Sequence, residues 1–280
     1  HLRAPRPPAA APAGAMEGRV WVPGPGAAAA AAARARGSGR ATWRVVAWNV
    51  LAQVYVRSEW FPHSPGPSLK WKARKKALLG CIDELEGDVL LLQEVDEYDH
   101  FWQEELHARG YDSAYKKRTS ATKGKRDGCA VAWRRELLAP VAAREVEHNT
   151  LAAAARDEAE RDRLTRDCVG LMVALRPVEG AGAAPDGGTL VFATTHLYWD
   201  PALADVKLAQ ARNTLQHLEQ FRSEVAPGGA AVLGGDFNSL PGSEVHAELV
   251  SQRWGLADAS ASSPLWATTV TPSFTGTIDW

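Results

Sequence analysis

Residues 87–95 read GDVLLLQEV. A short, almost wholly apolar run bounded by glycine is the pattern of a strand covered on both faces. Glu94 is out of place in such a strand. A buried carboxylate costs several kcal/mol unless it is paired or binds a metal. The run therefore poses a fold question and a site question together.

The neighbouring segments repeat the pattern. TWRVVAWNV (42–50) is a β-branched run that reaches Asn49, TLVFATTHLYW (189–199) carries His196, and AVLGGDFNSL (231–240) sets down Asp236 and Asn238 after two glycines. A lone Asp-x-Asn after a strand is most simply a turn cap. Four apolar strands with polar ends are different, because sheet edges gather strand ends and ligands bind beyond them. Glu, Asp and Asn with a neutral His suit a hard cation such as magnesium or manganese rather than zinc.

Helices are expected between these strands. Residues 69–86 place Leu78, Ile82 and Leu85 on one face, and residues 203–221 place Leu208, Ala211, Leu215 and Leu218 on one face. A helix is expected over 98–108, further strands near 112–117, 128–134 and 167–175, and a charged helical insertion over 151–167. Strands alternating with helices over this length give an α/β class with a mixed sheet in one domain.

Composition narrows the setting. The net charge is −1, so no global field draws the chain to nucleic acid or membrane. Cys81, Cys129 and Cys168 are odd in number and lack CxxC spacing, which argues for a reducing compartment and against a disulfide frame or zinc site. No apolar run approaches the roughly 20 residues of a membrane span. Residues 1–42 are rich in Ala, Pro, Gly and Arg with Glu17 the one acid, a composition expected to be disordered. An intracellular, cytoplasmic location is expected. An organelle is the alternative if this leader is a transit peptide, and coding bias explains its composition equally well.

Seven motifs then follow in family order: WNVLAQVY, LLLQEVDEYDHFW, KRDGCAVAW, TRDCVGLMVAL, TTHLYWDPALADVKLAQA, LGGDFNSLPGS and TPSFTGTIDW. Over residues 43–280 the chain resembles the endonuclease/exonuclease/phosphatase superfamily. Within it the motifs are most similar to the carbon catabolite repressor four-like and nocturnin-like deadenylases, the plant and algal ones above all. The resemblance implies a four-layer α/β sandwich, two mixed sheets flanked by helices. It implies magnesium at Glu94 supported by Asn49, with manganese as a possible substitute. It makes Asp236 the carboxylate that orients water or metal, Asn238 and His196 contacts to the phosphate, and Asp279 the partner of a final histidine. Pro201 and Phe274 match the segments that sandwich a terminal adenine.

The implied activity is removal of poly(A) from mRNA by 3′-to-5′ phosphodiester hydrolysis, with the RNA 3′ end as partner. The alternatives are a small-nucleotide phosphatase of the same fold and an inactive RNA- or protein-binding pseudo-nuclease. Inositol-phosphatase, sphingomyelinase and abasic-site readings share the fold, but GDFNSLPGS and HLYWDP favour the deadenylase. Lys123, Lys125 and Arg126 lie in a basic run over 116–126 that is expected to follow the phosphates of a polyanion. The family pattern continues past TIDW into a Ser-Asp-His motif, and its larger members carry leucine-rich repeats. Neither is in these 280 residues, which begin with His1. The resemblance thus implies a catalytic domain incomplete at its C-terminus, with little activity when made as written and no repeat for scaffold docking.

Overall fold

The computed structural model describes residues 43–119, 125–179, 188–259, 269–271 and 274–278. The leader 1–42, Lys123 and Asp279 lie outside them. In chain order the first five strands are β1 (Val45–Asn49), β2 (Val89–Val95), β3 (Tyr111–Lys117), β4 (Gly128–Arg134) and β5 (Leu138–Glu147). Five more follow: β6 (Val169–Pro177), β7 (Leu190–His196), β8 (Ala231–Asp236), β9 (Thr269–Thr271) and β10 (Phe274–Gly276). The α-helices among the described residues are α1 (Trp71–Leu85), α2 (Gln103–Ala108), α3 (Glu158–Leu164), α4 (Ala204–Val225) and α5 (Glu244–Leu249).

Every residue of β2 is buried. The two-residue period of a strand divides its apolar side chains between two cores. Leu90 and Leu92 pack outward with Leu78, Leu79 and Ile82 of α1 and with Trp102 and Leu106. Val89 and Leu91 pack inward with Val131 of β4, Val169, Leu171 and Val173 of β6, and Phe192 of β7. The inner core therefore joins two sheets. One has the order β1-β2-β4-β3, the other β5-β6-β7-β8. On the outer face of the second sheet, Leu218 and Phe221 of α4 cover Met172, Ala174, Val191 and Ala193. The layers are helix, sheet, sheet, helix, as expected.

Each sheet contains one parallel pair, β1 with β2 and β7 with β8, and its other pairings are antiparallel. Parallel strands end at the same edge. Asn49 is therefore level with Gln93, and His196 level with Asp236. At this end the sheets approach closely because the facing residues are small. A Cβ on Gly234 would stand 2.9 Å from the Ala47 Cβ and 3.0 Å from Leu91 Cδ1.

Two expectations are corrected. Strand β5 forms where the sequence suggests no element. It is an edge strand with alternating exposure and a bulge between Pro140 and Ala142, so neither Pro140 nor its alanines give an apolar-strand signal. The charged segment 151–167 is only partly helical. It holds the end of a 3-10 turn over His148–Ala154 and the short α3, capped where Asp157 accepts from the Glu160 amide. The three cysteines are buried thiols, and no helix among the described residues is long and apolar enough to cross a membrane.

Candidate active site

The ends of β1, β2, β7 and β8 meet across the sandwich. At Glu94 strand β2 bulges, because its register against β4 shifts between Leu92 and Val95. Glu94 takes a left-handed backbone, φ 55°, which costs an L-residue about 1–2 kcal/mol. Strain of this kind collects at functional sites. Its carboxylate is buried at 8% exposure and accepts two hydrogen bonds, Asn49 Nδ2 to Oε1 at 2.8 Å and the Ala52 amide to Oε2 at 2.9 Å.

Asn49 also donates from Nδ2 to Asp236 Oδ2 at 2.9 Å. Its own oxygen accepts from the Leu51 amide at 2.9 Å, which fixes the orientation of the carboxamide. Burial pushes the Glu94 carboxyl above its ordinary range, and the bonds from Asn49 and Ala52 pull it part of the way back.

His196 Nε2 lies 3.6 Å from Asp236 Oδ2. Behind the ring, Arg118 Nη2 is 2.8 Å from His196 Nδ1. A guanidinium donates and cannot accept, so Nδ1 is the acceptor and a neutral ring carries its proton on Nε2. Burial, followed by the charges of Arg118 and Lys125, holds the imidazole well below its ordinary pKa. Arg118 is itself anchored, with Nε donating to Asp127 Oδ2 at 2.7 Å. The Tyr55 hydroxyl donates to Asp127 Oδ1 at 3.1 Å.

Asn238 also has a left-handed backbone, φ 47°. Its amide donates to Asp236 Oδ1 at 3.0 Å, and its side-chain nitrogen donates to the Leu197 carbonyl at 2.9 Å. Lys207 of α4 donates to the Asn238 carbonyl at 2.9 Å. Burial lowers the Lys207 pKa, against the pull of Asp200 and Asp236.

One ligand atom from each of Glu94, His196 and Asp236 falls within 4.8 Å of the others. With Nδ1 of His196 facing Arg118 and Nε2 protonated, the donor set reduces to carboxylate oxygens. Two buried carboxylates joined through one neutral amide fit a hard divalent cation, which oxygen ligands and retained waters suit best.

The structure thus brings together Asn49, Glu94, His196, Asp236 and Asn238. Pro201 is exposed and opens the 3-10 turn Pro201–Leu203 that Asp200 caps. Phe274 lies in β10 opposite Thr271. The basic run divides. Lys116 pairs with Glu145 at 2.9 Å and with Glu147, Lys125 donates to the Arg166 carbonyl at 3.2 Å, and Arg126 is exposed. Arg118, Asp127, Tyr55 and Lys207 border the candidate site and were passed over by sequence reasoning. The usable signal was position: Arg118 follows β3 and Asp127 precedes β4, the same strand-end placement that marks the other site residues.

The Endonuclease/Exonuclease/phosphatase family profile matches residues 46–280. The chain belongs to this family. Among the relatives of this family member is Carbon catabolite repressor protein 4 homolog 4 of Arabidopsis thaliana, 37% identical over 284 residues, covering 85% of this chain and 66% of the relative. The chain thus spans just under two thirds of that relative's length. Among solved structures, ANGEL2, a 2′,3′-cyclic phosphatase in complex with adenosine-2′,3′-vanadate, superposes with TM-score 0.62 at 27% identity, over 78% of this chain and 63% of that one. The human Nocturnin catalytic domain with bound sulfate superposes with TM-score 0.60 at 25% identity, over 85% of this chain and 79% of that one.

Proposed function

We propose that this protein is a magnesium-dependent 3′-to-5′ exoribonuclease that shortens poly(A). The observation that carries the reading is the meeting of Glu94 and Asp236 on the Asn49 amide, with the Nε2–H of His196 facing the same point. Glu94 and Asp236 would hold the metal, manganese serving in its place, and the metal would supply charge neutralisation at phosphate oxygens. The other roles belong to the chain. Asn49 holds the two carboxylates in register. His196 donates from Nε2 to a phosphate oxygen as charge develops there. Asp236 accepts a hydrogen bond from the attacking water. Lys207, anchored on Asn238, adds positive potential at the end of β8.

A second reading, hydrolysis of small adenine nucleotides, has its own support. Lys116 is committed to Glu145 and Glu147, so the basic run offers a polyanion less than its sequence suggests. ANGEL2, a structural neighbour, is a 2′,3′-cyclic phosphatase solved with adenosine-2′,3′-vanadate.

The full-length protein, purified and given magnesium, manganese or EDTA, would be assayed on 5′-labelled RNA ending in a run of A or of another base. Adenosine 2′,3′-cyclic phosphate and a small adenine nucleotide would be assayed in parallel. Stepwise shortening of the A-ended RNA with metal, and none in EDTA, is expected. Hydrolysis of the small substrates alone would replace the first reading with the second, and no hydrolysis of any substrate would overturn both.

A further inference from the structure

We propose that Arg118 is a positioning residue that locks His196 in the tautomer bearing hydrogen on Nε2. Its guanidinium has two arms in use. One donates from Nε to Asp127 at 2.7 Å, and the other places Nη2 2.8 Å from His196 Nδ1. A third contact, Nη1 to Cys168 Sγ at 3.5 Å, closes the pocket behind the ring. Tyr55 holds the far side of Asp127. The side chains of Arg118 and Asp127 are 7% and 0% exposed, so the pair is built into the interior.

The physical need is specific. A neutral imidazole can carry its proton on either nitrogen, and one tautomer presents a lone pair toward Asp236 instead of a donor. A buried guanidinium behind Nδ1 excludes that tautomer, because two donors would then face each other. The lock leaves Nε2–H on the side of the ring that faces Asp236. At 3.6 Å from Asp236 Oδ2 the proton makes no normal hydrogen bond there and is available to a ligand oxygen. Lysine cannot substitute, since a single ammonium does not reproduce the planar fork that reaches both partners.

Only the kinetic arm of the test rests on the nuclease reading. Metal-free protein with 15N-labelled histidine gives the imidazole nitrogen shifts, and His196→Ala assigns the signal. The expected signature is protonated Nε2 and bare Nδ1, with Arg118→Lys giving a mixture of tautomers. An Nδ1–H ring or an imidazolium at neutral pH in the unmodified protein would overturn the proposal, even if the variant does not fold.

In the kinetic arm, Arg118→Lys lowers kcat about 10–100-fold while KM changes little. In a His196→Ala background the same change costs less than about twofold, because the two residues act as one unit. Equal losses with and without His196 would make Arg118 a purely structural ion-pair member. If the unmodified protein hydrolyses no RNA, the proposed function fails while the tautomer signal still decides this inference.

Discussion

Glu94 ends a strand of one sheet and Asp236 ends a strand of the other, and the two carboxylates meet on a single side-chain amide, 2.8 and 2.9 Å from Asn49 Nδ2. The site is therefore a product of sheet packing, since neither sheet alone contains it. Removing the amide should loosen the pair. Asn49→Ala is expected to weaken magnesium or manganese binding about tenfold, the usual scale for a group that orients ligands. Asn49→Asp should go further in the absence of metal, because three carboxylates then share one buried space. Calorimetric titration and melting curves with and without metal check both. Unchanged metal affinity in Asn49→Ala would remove Asn49 from the site.

Glu94 separates stability from activity. Glu94→Ala is expected to cost on the order of 10³-fold in turnover, because the metal itself is lost. In EDTA the variant should melt close to the unmodified protein, since a buried carboxylate pushed up by desolvation is removed with it. Glu94→Gly should be more stable than Glu94→Ala by about 1 kcal/mol, because glycine accepts φ 55° without strain. Near-normal turnover in either variant would show that the metal binds elsewhere.

The strand-end residues were legible in the sequence for a physical reason. An apolar run that stops at a polar side chain marks both a buried strand and its mouth, so Asn49, Glu94, His196 and Asp236 stood out without coordinates. What stayed hidden depends on three-dimensional burial. Arg118 sits among Lys116, Lys117 and Lys123, where a run of bases reads as a solvated loop, yet its side chain is 7% exposed. The bulge at Glu94 leaves no mark, since glutamate is not a residue chosen for left-handed backbone. Strand β5 escaped because an edge strand needs an apolar residue only at alternate positions, and Ala142, Ala143 and Pro140 carry no strand preference.

Acid should weaken the fold through His148. This ring is fully buried, with Nδ1 3.2 Å from Asn213 Nδ2 and Nε2 3.1 Å from Thr195 Oγ1, whose proton goes to the Val169 carbonyl. Desolvation, then the charges of His217 and Arg118, pushes its pKa down to about 3 from 6.5. The unfolded chain therefore binds a proton below pH 6.5 that the folded chain refuses until about pH 3. The stabilising contribution is complete above pH 6.5 and is lost as pH falls. Between pH 7.5 and 5.5 the stability gap between the unmodified protein and His148→Gln should narrow by about 1.4 kcal/mol. Urea melts at the two pH values measure it, and a gap independent of pH would contradict the buried neutral ring.

RNA binding tests the basic run residue by residue. A cation on a single strand releases about 0.7 counterion per phosphate contact. Lys125→Ala with Arg126→Ala should then flatten the log–log salt dependence of RNA binding by about 1.4, and adding Lys123→Ala brings this to about 2. Lys116→Ala should leave the slope alone, since that ammonium is paired with Glu145 and Glu147. Anisotropy titrations over a salt series check this. A slope unmoved by the triple substitution would favour a small-nucleotide substrate.

Gly235 supplies the last test, because it sets the height of Asp236. A Cβ at this position would lie 2.3 Å from the Thr195 carbonyl oxygen and 3.2 Å from its amide nitrogen. Both obstacles are backbone of the neighbouring parallel strand, so no side chain can swing aside. Gly235→Ala must push β8 away from β7 at the register pair Thr195–Gly235, next to His196–Asp236. Overpacking of this kind costs about 1–3 kcal/mol. The same displacement lengthens the Asn49–Asp236 bond and the approach of His196 to Asp236, so metal binding should weaken along with the fold. Gly228→Ala is the control: it is also glycine, at φ 75°, but has open space around the added carbon, so its cost should be confined to stability. If Gly235→Ala retained full metal affinity and melting temperature, β8 would have the freedom to shift that the close sheet packing denies it.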